Sequence, residues 1–497
     1  MSTLNTNNAA RPDYVRPEVV EAAVDLALIH DLLDGPQAMW ASSTTYIRKW
    51  TDEDKEVYKI RRLCEPCEGL FGRTLSASVG KLFAKPPKME FGSAEAVIRA
   101  HWDNVNGRGT KGDIAAKAFA SDAIADGFAC IVVDHPAPPV GVRVTAANEA
   151  ALNLRPFWAF YPRASLLSWV TTTVDNLEIP VQVVFAEAVE ERTHTFGTAS
   201  TTLYRELFVE DGVAQWRLWR APAEGSDVFT IDASGVFTNR TGQTRGTLPL
   251  ATGYAGRVEG WFDAAPPLRD VAYANLAHWR LATELTFGRQ VSAIEQPVVK
   301  GRILPGPGEE VGRVKIGWLT GINVEAEGEF AFVGPSGVGL DQLAQGKVEK
   351  EQAIAAMGLS FLSRDTRAAE TAEAKRLDAA AEDSTLATAA QGIEDALNHA
   401  AELHCWYLGI EKAQAFTITI NRDFELTVLS PQAVTAIAKL VESGLPVLRA
   451  VQVLIAGGVL KATDDEAEDI AAEWEAGRDA AADAKALDAE RALDAAA

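Results

Sequence analysis

The chain is short of cysteine, of basic residues and of long apolar runs, and each shortage removes a class of protein. Four cysteines in 497 residues are too few for a secreted disulfide scaffold and suit a reducing compartment. Acids outnumber bases 69 to 47, which gives a formal net charge of −22 and an isoelectric point near 4.8. A surface of that sign does not grip nucleic acid throughout, because neutralising phosphates takes Lys and Arg. It is compatible with a protein past which DNA moves without sticking. The most apolar stretch, Val447 to Leu460, is broken by Arg449, Gln452 and two glycines, and falls short of the ~20 residues that cross a bilayer. The opening MSTLNTNNAARPDY has no basic-then-apolar signal pattern. These readings predict a soluble, acidic chain made in the cytosol. Its 47% apolar and 23% charged residues are those of an ordinary folded protein, long enough for about two to four domains.

Periodicity divides the chain into stretches of different character. Pro17-Glu18 opens a helix whose stripe is Val20, Val24, Ala27, Leu28 and Leu32, stopped by Gly35-Pro36. A second helical stretch covers 52–84 with a break at Pro66, and a third runs from Asp113 to Asp126 before the buried-type strand 129–133. Between 155 and 250 the pattern turns to short strands: 157–161, 166–170, 181–186, 203–209 and 214–219, with Asp211-Gly212 as a hairpin signal. After Pro266-Pro267 a long helix reaches about Gln290, with Leu268, Val271, Ala272, Leu276, Trp279 and Ala282 on one face and Arg269, Tyr273 and Arg280 on another. Gly- and Pro-rich strands follow over 291–340, then a helix over 341–358 and a long one over 368–408. The last carries Ile393, Leu397, Ala400, His404 and Tyr407 at spacings of four and three. A strand pair (415–420, 424–429) and short helices capped at Ser430-Pro431 and Thr463–Glu466 complete the pattern. The last 34 residues, 464–497, hold 12 acids and 3 bases, and their end reads as a frayed or disordered tail.

The apparent chemical motifs are incomplete. Gly334 to Gly339 has the glycine spacing of a phosphate-binding loop, but Leu340 and Asp341 stand where that loop needs Lys and a hydroxyl residue. Cys64-Glu65-Pro66-Cys67 has redox spacing, yet it sits in a helical stretch with no preceding strand and no second pair to complete a zinc site. His399 and His404 flank Glu402 but are five apart rather than four, so they diverge on the helix, and His404 reads as a core or interface residue. No GxSxG elbow occurs and no acid pair is arranged for glycosidase or nuclease chemistry. An enzyme is therefore not expected, and no cofactor, metal or catalytic residue is assigned.

The order of elements and several residue patterns resemble the portal proteins of tailed bacteriophages, in a branch known only as a domain of unknown function. The resemblance runs from about residue 25 to 476. It rests on Asp31–Gly35, Tyr46-Ile47-Arg48-Lys49-Trp50, Tyr58-Lys59-Ile60-Arg61-Arg62 and Gly80–Pro87. Further on it rests on Pro266–Trp279, Glu370–Arg376, Asp383–Leu386, Glu394–Leu397 and Asn421–Phe424. None is a chemical motif; their joint order is what is specific. The chain departs from the family at Gln37-Ala38-Met39-Trp40, where a glycine- and charge-containing link is usual.

The resemblance implies an α+β portal-type subunit. Residues 1–264 would be the wing, 265–290 the first stem helix, 291–340 the clip and 341–358 the second stem helix. The tunnel loop would be 359–369, the long helix and returning wing strands 370–429, the crown 430–476 and an acidic Ala-rich tail 477–497. It further implies a ring of about twelve copies at one capsid vertex of the virion, assembled in the host cytoplasm. That ring would be a passive conduit for genome packaging and ejection. Its partners would be the terminase large subunit, a head-tail adaptor, major capsid and scaffolding proteins, and double-stranded DNA without sequence preference; no membrane is involved. Candidate DNA-facing residues are Arg364, Arg367, Lys375 and Arg376, which could equally pair with Glu370 and Glu373. Candidate stem residues are Arg269, Tyr273 and Arg280, and candidate clip residues Lys300, Arg302 and Lys315. The alternatives are a nucleotide-binding enzyme built on 334–339 and another ring-forming virion protein, for which the chain is long.

Overall fold

The computed structural model describes residues 5–92, 94–136, 151–222, 228–293, 296–301, 325, 327–333, 338–358, 372–422, 431–442, 445–456, 459–460 and 466–477. They belong to two compact units, Met1–Arg422 and Asp423–Ala497. Helix and strand are mixed and the paired strands of the sheets are antiparallel, in keeping with the α+β expectation.

The first unit opens with α1 (Pro17–Asp34), α2 (Pro36–Ala41), α3 (Ser43–Tyr46), α4 (Lys55–Leu63) and α5 (Leu70–Leu82). Pro17 starts α1 at the position where a missing N–H costs nothing, and Gly35 ends it at φ +87°. Its buried face is Leu26, Leu28, Ile29 and Leu32; Val24, expected in the stripe, is 71% exposed. The divergent segment Gln37–Trp40 lies in α2 and buries Met39 completely. Strand β1 (Lys88–Glu90), α6 (Glu95–Trp102) and α7 (Gly112–Asp126) follow. Gly127 ends α7 at φ +95° and packs within 2.5 Å of the Ala264 carbonyl, measured from where a Cβ would stand, so only glycine fits there.

Strand β2 (Phe128–Asp134) is buried on both faces, in the centre of a three-stranded sheet between β3 (Phe157–Pro162) and β9 (Leu250–Tyr254). A second sheet takes β4 (Leu166–Val174), β5 (Leu177–His194), β6 (Gly197–Glu210), β7 (Val213–Arg220) and β8 (Thr230–Val236) in that order. Asp211-Gly212 makes the expected β6–β7 turn with both residues at positive φ, 52° and 73°, the conformation that matches strand twist. Strands β5 and β6 are much longer than the sequence pattern suggests, and β8 and β9 carry no clear signal in it.

The second half of this unit holds β10 (Arg257–Gly260), β11 (Asp263–Ala265), α8 (Arg269–Ser292), β12 (Gln296–Lys300), β13 (Glu329–Val333), α9 (Val338–Gly358) and α10 (Ala372–Leu408). The expected apolar face of α8 is buried at Val271, Ala272, Leu276, Trp279 and Ala282. Helix α10 buries Ile393, Leu397, Ala400, His404 and Tyr407 as their spacing requires, and Gly409 ends it at φ +72°. It packs onto β9 and β2. Gly392 sits so close to this sheet that a Cβ there would lie 1.9 Å from the Tyr254 carbonyl oxygen.

Strand β14 (Thr417–Thr419) pairs with β1, with Lys88 opposite Thr419. It thus closes onto the N-terminal part of the unit; the strand expected over 424–429 lies outside the described residues. In the second unit α11 (Pro431–Glu442), α12 (Val447–Ala456) and a helix over 466–477 enclose Val441, Val447, Ala450, Val451, Ala467 and Ala471. The caps expected at Ser430 and Thr463–Asp465, and the tail from 478, lie outside the described residues.

Candidate functional site

Helices α8 and α9 form an antiparallel pair whose register is legible from facing residues. Leu340 lies against Gly288, Leu281 against Gly346, and Glu351 against His278. Strands β12 and β13 are paired antiparallel too, with Gln296 opposite Val333 and Lys300 opposite Glu329. Two helices and two strands thus follow one antiparallel order, helix–strand going out and strand–helix returning, around residues 302–324.

The base of this hairpin is fastened to the turn between α4 and α5. Trp279 Nε1 donates to the Glu65 carbonyl (2.9 Å) and Trp40 Nε1 to the same oxygen (3.1 Å). Asn275, fully buried, donates through Nδ2 to the Glu68 carbonyl (3.0 Å), and its Oδ1 accepts from the Phe71 N–H (2.9 Å). That N–H belongs to the first turn of α5 and has no partner within its own helix. Thr286 Oγ1 donates to Glu65 Oε2 (2.7 Å). The Asn275-Leu276-Ala277-His278-Trp279 pattern is therefore a docking face for this turn.

Beside it lies a fully buried guanidinium. Arg61 grips both carboxylate oxygens of Glu53 (2.8 and 3.0 Å), Glu284 of α8 (2.6 Å) and the Arg48 carbonyl (2.7 Å), while its Cζ lies 4.0 Å from the centre of the Trp50 ring. Glu53's carboxyl is held below its ordinary range by Arg61. Tyr46 donates to Asp31 (2.6 Å), Tyr58 to the Ile47 carbonyl (2.7 Å), and Arg62 to Ser43 Oγ. The two N-terminal patterns, 46–50 and 58–62, thus form one clamp that ties α4 to α8.

The candidate stem residues are occupied within the chain. Tyr273 Oη donates to Asp25 of α1 (2.5 Å), Arg269 approaches the same carboxylate at 3.7 Å, and Arg280 Nε donates to the Tyr46 carbonyl (2.8 Å). Lys300 pairs with Glu329 across the hairpin strands (3.2 Å), both exposed. Lys375 and Arg376 fall in the first turns of α10, over 372–384, where only the backbone is described; Arg302, Lys315, Arg364, Arg367 and the whole stretch 359–369 lie outside the described residues.

Of the motif-like cysteines, Cys67 is buried and Cys64 partly buried. Burial raises both, pushing Cys67 up to about 12, which leaves little thiolate for redox chemistry. At the glycine-rich loop, 334–337 lie outside the described residues. Leu340, at the position where a phosphate loop needs Lys, packs on Gly288 of α8.

Two clusters have no signal in the sequence. Glu68, His278 and Glu351 bring one ligand atom each within 4.8 Å of one another. The Lys347 ammonium already lies between the carboxylates, 3.0 Å from Glu68 and 3.4 Å from Glu351. The charge a metal would bring is supplied by lysine. Elsewhere His101 Nδ1 and His404 Nε2 meet at 2.9 Å, between Trp158 and Phe416. Burial and then Arg155 lower His101 to about 4, and burial and then His101 take His404 well below its ordinary value. Both clusters join residues hundreds of positions or at least dozens apart, so no local spacing marks them.

A family model described as Domain of unknown function (DUF4055) matches residues 267–408. The match begins beside α8 and ends with α10, so it spans the helical hairpin, its strands and the long helix. No curated protein matches the chain. Among the described residues no helix is long and apolar enough to cross a membrane.

Proposed function

We propose that this chain is a portal-type subunit: one of about twelve copies forming a ring at a capsid vertex, through which double-stranded DNA enters and leaves. The observation that carries the reading is the antiparallel order α8–β12–β13–α9 followed by the 37-residue α10. A stem of two helices leading to a strand-framed clip, with a long helix behind it, is the arrangement the resemblance implies. The match to residues 267–408 covers that same arrangement, which supports treating it as the family-defining part.

Surface chemistry agrees with a subunit that packs against its copies. Helix α4 is inverted: it buries Arg61 and leaves Val57, Ile60 and Leu63 exposed. Apolar residues turned outward from a structured helix are what an intersubunit face presents. The net charge of −22, repeated around a ring, repels phosphate and keeps DNA mobile. Terminase, adaptor, capsid and scaffold contacts follow from the reading, and the virion is its place. Arg364, Arg367, Lys375 and Arg376 remain its candidates for local contact with passing DNA, and Lys300, Arg302 and Lys315 for contact at the clip. Arg269, Tyr273 and Arg280 are better read as fasteners of the stem to α1 and α3.

Electron microscopy of the purified full chain is the test. End-on rings of about twelve or thirteen subunits with an open centre are expected. A particle that stays monomeric, alone and with capsid and scaffold proteins added, would overturn the reading.

A further inference from the structure

The five-stranded sheet carries an arm. Strand β5 stays beside β4 only as far as Phe185, which faces Leu166, and β6 meets β7 only from Leu203, which faces Arg220. Beyond those limits residues 188–202 have, among the described residues, only each other as ladder partners, with Arg220 of β7 reaching Glu191 at 2.7 Å, and they end in the two-residue turn Thr195–Phe196. An isolated two-stranded ribbon is marginal in water, and its outer edges offer unpaired backbone groups. Yet its tip is held in shape. Arg192 donates through Nη2 to the Thr195 carbonyl (2.7 Å) and through Nε to the His194 carbonyl (3.3 Å), and Thr193 Oγ1 donates to the Gly197 carbonyl (3.3 Å). Out of this braced turn stands Phe196, fully exposed at 102%. A phenyl ring at the point of greatest exposure forfeits its whole burial energy unless something covers it.

A receptor of matching character lies elsewhere on the same unit. Between α1 and the start of β4 is a cavity of about 230 Å³ whose walls are mainly apolar, Ala23, Phe128, Leu166 and Phe262 among them, with Glu18, His30 and Arg163 also in the lining. An apolar cavity of about 150 Å³ is enough to take a benzene ring. The chain's own ring does not reach it. Leu166, in the cavity wall, faces Phe185 in the register, and Phe196 lies at the far end of the arm, roughly 30 Å beyond at about 3.3 Å per residue.

We propose that Phe196 of one copy seats in the α1–β4 cavity of the next copy of this chain. One knob and one hole, displaced on a single molecule, define a heterologous contact that propagates head to tail and closes when the rotation allows. The occupant is a second copy because both halves are present on this chain, fit in size and apolar character, and are too far apart to meet within it. The inference rests on the ring reading and gives that ring an interface.

The test uses the full chain with Phe196→Cys and Ala23→Cys together, oxidised mildly and run without reductant. A ladder of covalent dimers and higher species is expected from the double variant and not from either single one. Phe196→Ser should assemble at least about tenfold more weakly with unchanged circular dichroism and melting, since the ring touches nothing in the monomer. If the wild type assembles while Phe196→Ser assembles equally well and no ladder forms, the knob is wrong and the ring stands. Cross-linked dimers without rings would keep the knob and remove the ring. A wild type that never self-associates, or a cross-link within one copy, overturns the proposal.

Discussion

At Arg61 the usual rule of polarity is reversed, and the physics follows from its partners. A buried guanidinium is tolerable because each side of its fork meets a carboxylate or a carbonyl. Removing it leaves Glu53, with a side chain 2% exposed, buried without a counter-charge. Arg61→Met should therefore lower stability by about 3–5 kcal/mol, read as a shift in the urea midpoint. Lys88→Ala, which breaks a fully hydrated pair with Glu90, should change it by less than about 1 kcal/mol. The histidine pair makes a pH prediction. His101 in the folded chain titrates near 4 instead of 6.5, so between those values the unfolded chain binds more protons and stability falls as pH falls. Asp122, pushed up to about 6 by burial and Asp126, and His30, raised by its bond to Asp126, act in the opposite sense. The contribution is isolated by comparing wild type with His101→Gln. The variant should lose less stability than wild type between pH 6.5 and 4 in thermal melts, and equal losses would show that the pair does not titrate as argued.

Elements in this chain are positioned by close backbone approaches as much as by side-chain burial. Helix α10 reaches β9 because position 392 has no Cβ. In Gly392→Ala the helix gains about 1 kcal/mol of propensity, while the methyl meets a backbone oxygen at 1.9 Å and the helix must move off the sheet. Overpacking of this kind costs about 1–3 kcal/mol, and because the obstacle is backbone the upper end applies. A net loss of about 2 kcal/mol in chemical unfolding is expected. Where glycine marks an end, as at Gly35, Gly127 and Gly409, the sequence alone places the boundary, because positive φ is a local property. The same local reasoning places the α1 face in part, since Leu28 and Leu32 are buried as expected while Val24 is not. Val24 fits a helical stripe, yet the burying surfaces lie toward Leu28, Ile29 and Leu32.

At the scale of the whole molecule the division after Arg422 carries a prediction. The cluster of Val441, Val447, Ala450, Val451, Ala467 and Ala471 is built from its own segment. A chain ending at Arg422 should keep the far-ultraviolet spectrum per residue and the main melting transition of the full chain. Loss of that transition would show that the segments are one cooperative unit. The same truncation examined by microscopy separates folding from assembly, because the contact proposed between the arm and the α1–β4 cavity involves only residues 1–422.

Short-range features are legible in the chain itself: most of the helix and strand pattern, the turn at Asp211-Gly212 and the buried stripe of α10. Such features depend on neighbours three or four residues away, or on a single residue's allowed φ. Tertiary structure alone decided which distant groups satisfy one another. Nothing near Arg61 announces Glu284, nothing near His101 announces His404, and nothing near Thr417–Thr419 announces Lys88–Glu90. It also decided that β5 and β6 outrun their sheet, since Thr-rich alternation shows that a strand forms but not whether a neighbour lies beside it. Buried polar groups and unpaired edges are settled by which surfaces meet after collapse, and that information is spread over the whole chain.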